Sequence, residues 1–248
     1  MSQSIHDSPG AAARAAAEQL ARLIGDAIAE HGDARIVLSG GPAHAALLDA
    51  LVAIHGVRWL MVTGYQFSEF VGLPDNHPAA ARRTLERFVR RIPGCLPGFH
   101  FLRPGLDPLA ERDRLSDFIS REPIDAAVVD LQPDGSIGFN QPPAEFETRA
   151  GYALVPLAEP TRRRLALAGL FESPDRTPRR AITMTLPQLL KARTILALAT
   201  GDCAAPVAAA ISGPVDAAVP CSILSRHPRC ELFLDREAAR GLNVPTAS

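Results

Sequence analysis

The chain has 248 residues, of which 47% are hydrophobic and 21% are charged, and its formal net charge at pH 7 is −1. That length suffices for one large α/β domain or two small ones. Because the net charge is close to zero, no general field attracts the protein to nucleic acid or to an acidic membrane surface, and neither is predicted as a partner.

The cysteines and the N-terminus set the expected compartment. Cys95, Cys203, Cys221 and Cys230 are widely spaced, and no Cys-x-x-Cys pair occurs, so neither a zinc site nor any other metal site is predicted. The N-terminus is polar and lacks the apolar core of a signal peptide, and no apolar run approaches the length that spans a bilayer. These features predict a cytoplasmic protein with free thiols.

The N-terminal half alternates helical and extended patterns. Residues 1–10 are predicted to form a flexible tail, and residues 11–248 to form one domain. Apolar spacing and turn residues predict the following elements: a helix over 11–31, a strand over 34–38, a turn over 39–42 that leads into a helix ending near 54, a strand over 59–62, a loop over 64–77, a helix over 78–91, a strand over 99–102, and a helix over 107–121.

The C-terminal half continues the same alternation. The predicted elements are a strand over 126–131, an extended segment over 152–155, a helix over 159–170, strands over 180–185 and 194–199 with a short helix over 187–191 between them, a helix that follows 200–202, and a strand over 230–234. Asp107 and Asp202 are predicted N-caps. Strands that alternate with helices predict an α/β fold with a mostly parallel sheet and helices on both faces.

The loop over 130–141 follows an apolar run over 124–129 that has the composition of a buried parallel strand. It reads Asp-Leu-Gln-Pro-Asp-Gly-Ser-Ile-Gly-Phe-Asn-Gln and is therefore polar and glycine-containing. Open α/β sheets bind small molecules at the carboxyl ends of their strands. The loop is therefore predicted to border a binding site for a small molecule.

Four segments resemble the glucosamine-6-phosphate deaminase family. Residues 134–142, Asp-Gly-Ser-Ile-Gly-Phe-Asn-Gln-Pro, are similar to its catalytic loop, Asp-Gly-His-Ile-(Gly/Ala)-Phe-Asn-Glu-Pro. Residues 64–78 resemble its Phe-Asn-x-Asp-Glu-Tyr-Val-Gly-Leu-Pro-x-x-His-Pro loop, residues 38–41 its glycine-rich phosphate turn, and residues 199–201 with 222–228 its C-terminal part. The 6-phosphogluconolactonases are a poorer match, because they have a different sequence where this chain has Phe139-Asn140.

The resemblance implies a Rossmann-like sheet with the site at its carboxyl edge. It also implies a chemistry of ring opening, isomerisation through an enediol and loss of ammonia from an aminosugar phosphate. Several positions that carry this chemistry are replaced: the proton-abstracting Asp falls at Ser68, the ring-opening His at Ser136, its companion Glu at Gln141, the phosphate-binding Lys at Ala204, and the second Thr of the phosphate turn at Pro42. None of these replacements titrates near neutral pH.

The remaining matched residues are the candidate site. Asp134 and Glu69 are predicted to be catalytic, with a turn residue and a capping or ion-paired residue as the respective structural alternatives. The predicted substrate-binding residues are Ser39, Gly40, Gly41, Ser68, Ser136, Asn140, Gln141 and Arg149. The arginines at 162–164 are interpreted as a solvated surface, and Cys203 as a buried structural thiol in preference to a reactive one.

Two main functions stay open at this point, beside a third possibility in which the chain acts only as a subunit through oligomer contacts. The first is a glucosamine-6-phosphate deaminase/isomerase-like protein of carbohydrate metabolism with a changed substrate or chemistry. The second is a catalytically inactive protein that binds a sugar or sugar phosphate and has a regulatory role. Both predict a small-molecule partner and no cofactor, and the sequence leaves open whether the protein is a homo-oligomer.

Overall fold

The computed structural model of the chain describes residues 1–74, 76–92, 98–103, 105 and 107–242. Cys95, one of the four cysteines, lies outside the described residues. In chain order, the elements are β1 (Ser2–His6), α1 (Pro9–His31), β2 (Ala34–Leu38), α2 (Pro42–Ala53), a 3₁₀ turn (Trp59–Met61), β3 (Val62–Gln66), β4 (Ser68–Phe70), α3 (Ala81–Arg90), β5 (Phe99–His100), α4 (Pro108–Ser120), β6 (Ala126–Asp130), β7 (Tyr152–Pro156), α5 (Glu159–Leu167), β8 (Arg180–Met184), α6 (Leu186–Leu189), β9 (Thr194–Ala199), α7 (Ala204–Ser212), a 3₁₀ segment (Pro220–Arg226) and β10 (Cys230–Asp235).

The main sheet has seven strands in the order β1-β10-β9-β6-β2-β3-β5. Every described pairing within it is parallel. Its centre, β9-β6-β2, is made of short apolar runs that are buried on both faces, as expected for a parallel sheet. The prediction of a mostly parallel α/β sheet is therefore confirmed.

Helices cover both faces of this sheet. Ile36 and Leu38 of β2 point into one core, which α1, α2 and α3 share, whereas Val37 points into a second core on the opposite face, to which α4, α6 and α7 contribute. Successive strand residues point to opposite faces, so a single strand supplies both cores. Within the described ranges, no helix combines the length and apolarity required to cross a bilayer.

A second, smaller sheet was not foreseen from the sequence. Strands β4, β8 and β7 form an antiparallel sheet in which Ser68 pairs with Thr183 and Tyr152 with Met184. The sequence predicted the segments of β7 and β8 as extended but placed β4 inside a loop. This small sheet matters for the site, because it carries Ser68 and Glu69 to the edge of the main sheet.

Three local predictions concern the N-terminus and two helix caps; one of them is confirmed and two are corrected. The predicted flexible tail contains β1, which lies parallel to β10 because its backbone completes the ladder at that edge of the sheet. Asp107 caps α4 as predicted, since its carboxylate accepts a hydrogen bond from Leu109 N at 2.8 Å. Asp202 was predicted to cap α7 but does not, because the N-cap position is occupied by Cys203.

Candidate functional site

A cleft of about 310 Å³ lies where β2 and β6 end and where β4 begins. Open parallel sheets bind ligands at this edge. Its polar side chains come from Ser39, Ser68, Glu69, Asp130, Gln132 and Arg164, and its apolar wall from Phe70, Phe139, Leu165, Ala168 and Leu170. A largely apolar pocket with a few convergent polar groups is the usual form of a small-molecule site.

A larger groove, of about 380 Å³, lies between α1 and residues 54–58, near the amino end of β3. None of the residues predicted for the site belongs to that groove. We therefore place the candidate site in the cleft at the carboxyl edge, where several predicted residues do meet.

The glycine turn after β2 forms one wall of the cleft. Ser39 and Gly41 line it, whereas Gly40 packs against the start of α3, where an added Cβ would lie 2.1 Å from the Ala81 carbonyl oxygen. Only glycine permits so close a backbone approach. Pro42, the first residue of α2, has no N–H to offer an anion, and so the turn has fewer donors than a helix N-terminus normally provides.

Ser68 and Glu69 enter the cleft from β4, and both are buried. The two carboxylate oxygens of Glu69 accept four hydrogen bonds. Oε1 accepts from Phe70 N at 2.8 Å and Ala81 N at 3.3 Å, and Oε2 accepts from Arg82 N at 2.7 Å and Gln66 Nε2 at 3.0 Å. A carboxylate has about four lone-pair sites, and all of them are used here.

Through these hydrogen bonds, Glu69 links β4 to the N-terminus of α3. Ala81 and Arg82 are the first residues of α3, whose N-cap, Ala80, has no side chain that could satisfy their N–H groups. Burial raises the pKa of Glu69, and the four hydrogen bonds oppose that rise. The geometry supports the structural alternative for Glu69, and its catalytic role stays an untested prediction.

The loop that contains Asp134 holds its shape through backbone contacts. Asp134 Oδ1 accepts a hydrogen bond from Ser136 N at 3.0 Å, and Oδ2 lies 3.5 Å from a guanidinium nitrogen of Arg164. Ser136 is fully buried, and its hydroxyl has no hydrogen-bond partner in the described part of the chain. Gly138 has φ +57° and lies against the Phe67 ring, where a Cβ would come within 2.3 Å of a ring carbon. Asp134 and Ser136 do not line the cleft, and their predicted catalytic and substrate-binding roles stay predictions.

Three further predicted residues also lie outside the cleft lining. Asn140 Nδ2 donates to the carbonyl oxygens of Ile137 and Met184, at 2.9 Å in both cases. Gln141 bridges the end of β7 and the start of α5, where its amide donates to Pro156 O at 2.8 Å and accepts from Ala158 N at 2.9 Å. Arg149 is exposed. The first two side chains tie loops together, and the substrate-binding roles of all three remain predictions.

The structure adds polar residues that the sequence did not single out. Asp130, at the end of β6, accepts a hydrogen bond from Gln132 Nε2. Gln132 Oε1 accepts from Arg164 at 2.6 Å, and Arg164 also faces Asp134. The arginines at 162–164 were interpreted as a solvated surface, but α5 turns Arg164 into the cleft while Arg163 pairs with Glu159 outside. The signal for Asp130 in the sequence was its place directly after the apolar run over 124–129.

His44, in the first turn of α2, lies behind Asp130. Its side chain is completely buried, its Nδ1 lies 3.5 Å from Asp130 Oδ1, and neither ring nitrogen has a hydrogen-bond partner among the described residues. Burial lowers the pKa of His44, although the carboxylate of Asp130 and the carbonyl of Val128 act in the opposite direction. A histidine with a lowered pKa is neutral near pH 7 and does not neutralise Asp130.

Cys203 is a buried structural thiol, as predicted from the sequence. It is 2% exposed, and its Sγ donates to Leu131 O at 3.3 Å. Burial raises the pKa of this thiol to about 11. Thiolates are the reactive species, so a thiol with so high a pKa is a poor nucleophile near neutral pH.

No protein-family model matches the chain. Its sequence is 32% identical over 246 residues to a glucosamine-6-phosphate deaminase of Hahella chejuensis, a match that covers 97% of this chain and 91% of that protein. A glucosamine-6-phosphate deaminase of Pseudarthrobacter chlorophenolicus is 31% identical over 236 residues, with 91% and 89% coverage. The chain belongs to the glucosamine-6-phosphate deaminase family.

Solved structures agree with this assignment. A monomeric glucosamine-6-phosphate deaminase superposes with a TM-score of 0.86 at 26% identity over 96% of this chain and 99% of that one. A 6-phosphogluconolactonase from Shewanella baltica superposes with a TM-score of 0.76 at 19% identity, which shows a shared fold. Like these neighbours, this deaminase-family chain is built on a mainly parallel sheet, and its candidate cleft lies at the carboxyl edge.

Proposed function

We propose that this protein is a glucosamine-6-phosphate deaminase-like protein of carbohydrate metabolism that binds a small sugar in the cleft. We also propose that standard deamination of glucosamine 6-phosphate is slow or absent. The observation that carries the proposal is a cleft with a few convergent polar side chains, in which Ser68 lies at the position matched to the family's proton-abstracting Asp. A serine hydroxyl without a partner base does not remove a carbon-bound proton near neutral pH.

The other matched positions support the same conclusion. Ser136 is fully buried, and Gln141 is committed to backbone groups of Pro156 and Ala158. Neither side chain can replace a titrating histidine or glutamate as an acid or base. A single acid/base group typically contributes about 10²–10⁴-fold in rate, so we expect the loss of three such groups to leave turnover slow or absent.

The test combines turnover with binding. Ammonia release and ketose formation from glucosamine 6-phosphate are followed beside an active family member, such as the Hahella chejuensis relative. We expect a rate at least about 10²-fold below that of the relative. Thermal shift with sugars then detects binding, because a ligand at about 100 times its Kd stabilises the folded state by about 2.7 kcal/mol. A flat response to every sugar would remove the proposal, and turnover equal to that of the relative would remove its second part.

An enzyme acting on an altered substrate is the second candidate, and Asp130 is the observation that favours it. Its carboxylate lines the cleft and accepts one side-chain hydrogen bond, from Gln132, unlike Glu69, whose acceptor sites are all occupied. A panel of free and phosphorylated aminosugars, assayed for ammonia and ketose, tests this candidate. Any activity found should be lost in Asp130→Asn, and a panel with no turnover above buffer excludes it.

A further inference from the structure

The charges around the cleft are unbalanced towards the negative. Of the described residues that line it, only Arg164 carries a positive charge, while Asp130 and Glu69 are both carboxylates. The residues that the structure leaves undescribed include no lysine, arginine or histidine, so they add no cation. The guanidinium of Arg164 is itself engaged with Gln132 and with a third carboxylate, Asp134.

Asp130 is the carboxylate in this set whose acceptor sites are left largely open by the described residues, whereas all four acceptor sites of Glu69 are filled by uncharged donors. The side chain of Asp130 is 13% exposed, and the described residues provide it with one hydrogen-bond donor, the uncharged amide of Gln132. The buried His44 ring lies with its Nδ1 3.5 Å from Asp130 Oδ1, and burial lowers the pKa of that ring. A partly buried charge is costly unless it is paired, and a cationic group on a ligand in the cleft would pair with Asp130.

The same cleft is poorly equipped for a phosphate. The glycine turn loses a donor at Pro42, and the position matched to the phosphate-binding lysine is Ala204. Arg164 keeps one buried donor without a partner, Nε. One donor is enough for a hydroxyl oxygen, whereas a phosphate dianion brings three acceptor oxygens and is repelled by the carboxylates nearby.

We infer that the cleft takes an aminosugar without a phosphate group, and that Asp130 is the contact for its ammonium group. This inference rests on the proposed binding of a sugar in the same cleft. Phe70 and Phe139, whose ring centroids are 4.8 Å apart, provide an apolar surface for the sugar ring. The polar wall formed by Ser39, Ser68 and Arg164 then faces its hydroxyl groups.

Calorimetric titration of the full chain with glucosamine, glucose and glucosamine 6-phosphate at pH 7 tests the inference. An ion pair with a largely desolvated carboxylate should make glucosamine bind at least about tenfold tighter than glucose. Glucosamine 6-phosphate should bind more weakly than glucosamine. In Asp130→Asn, which keeps the size of the side chain and removes its charge, the preference for glucosamine over glucose should vanish while glucose binding remains.

Asp202→Asn is the matched control, because Asp202 is exposed and does not line the cleft, and it should leave all three affinities unchanged. If glucose and glucosamine bind equally, or if glucosamine 6-phosphate binds tightest, the inference is overturned while the proposed sugar binding stands. If none of the three sugars binds, the inference is overturned, and the thermal-shift response to the other sugars decides the proposed function. A loss of preference in Asp202→Asn as great as in Asp130→Asn would also overturn the assignment to Asp130.

Discussion

The substitution Glu69→Gln tests whether the hydrogen bonds of this side chain stabilise the contact between β4 and α3. The change keeps the shape of the side chain and replaces one carboxylate oxygen by an NH₂ group. If the remaining oxygen stays with Phe70 N and Ala81 N, the new NH₂ group faces two other donors, Arg82 N and Gln66 Nε2. Two donors would then lose their acceptor.

Gln66 is unable to relieve this conflict by turning its amide. Its Oε1 already accepts a hydrogen bond from Leu102 N at 3.0 Å, and its Nε2 also donates to Ser68 O at 2.9 Å. A flip would therefore orphan Leu102 N instead. A buried donor without an acceptor costs about 1–3 kcal/mol, so two of them should lower the free energy of unfolding by about 2–6 kcal/mol.

Urea unfolding monitored by tryptophan fluorescence measures this loss directly. Trp59 is the single tryptophan of the chain, and its ring packs edge-on against Phe88 of α3, with 5.6 Å between the ring centroids. Its emission therefore reports whether α3 is docked. Glu86→Gln on the same helix is the control, since Glu86 forms an i,i+4 ion pair with Arg82, and such surface pairs are worth about 0.3–0.5 kcal/mol.

The expected ranking is a large loss for Glu69→Gln and a small one for Glu86→Gln. If the free energy of unfolding falls by the same small amount in both variants, the hydrogen bonds between Glu69 and α3 contribute little stability. The interpretation of Glu69 as a structural residue would then be refuted, and its predicted catalytic role would regain support.

Three further outcomes are expected from the same structure. Gly40→Ala should destabilise the fold by more than about 2 kcal/mol, because the added Cβ would overlap the backbone of Ala81. Gly25→Ala should stabilise the fold by about 0.5–1 kcal/mol, because Gly25 lies inside α1 with open space around it. Urea unfolding measures both changes. The pKa of His44 is lowered on folding, so just below the usual histidine pKa of about 6.5 the unfolded chain binds more protons than the folded one. The free energy of unfolding should therefore fall with decreasing pH by at most about 1.4 kcal/mol per pH unit. His44→Gln should remove this pH dependence, and His55→Gln, at an exposed histidine, should keep it. Cys203 should react with a thiol reagent at pH 7 only in urea, and rapid labelling of the native protein at that residue would contradict its burial.

The sequence alone was sufficient for the features that depend on local pattern. Short buried runs such as β6 and β9 alternate with helices, and that alternation admits few arrangements other than a parallel sheet covered on both faces. Asp107 was recognisable as a cap, because capping depends on the residue type and its next few neighbours. The ordered matches over most of the chain were likewise enough to identify the family.

The assembly of the site depended on contacts between residues that are far apart in the chain, and no local pattern encodes these. β4 exists as a strand because β8 pairs with it, and that pairing brings Glu69 to the N–H groups of the first turn of α3. The sequence predicts Arg164 as a surface arginine and Asp130 as the end of a strand. Only the packing of α5 near the end of β6 brings both side chains to the cleft. The pKa of His44 is lowered only because the packing of α2 buries its ring, beside the carboxylate of Asp130.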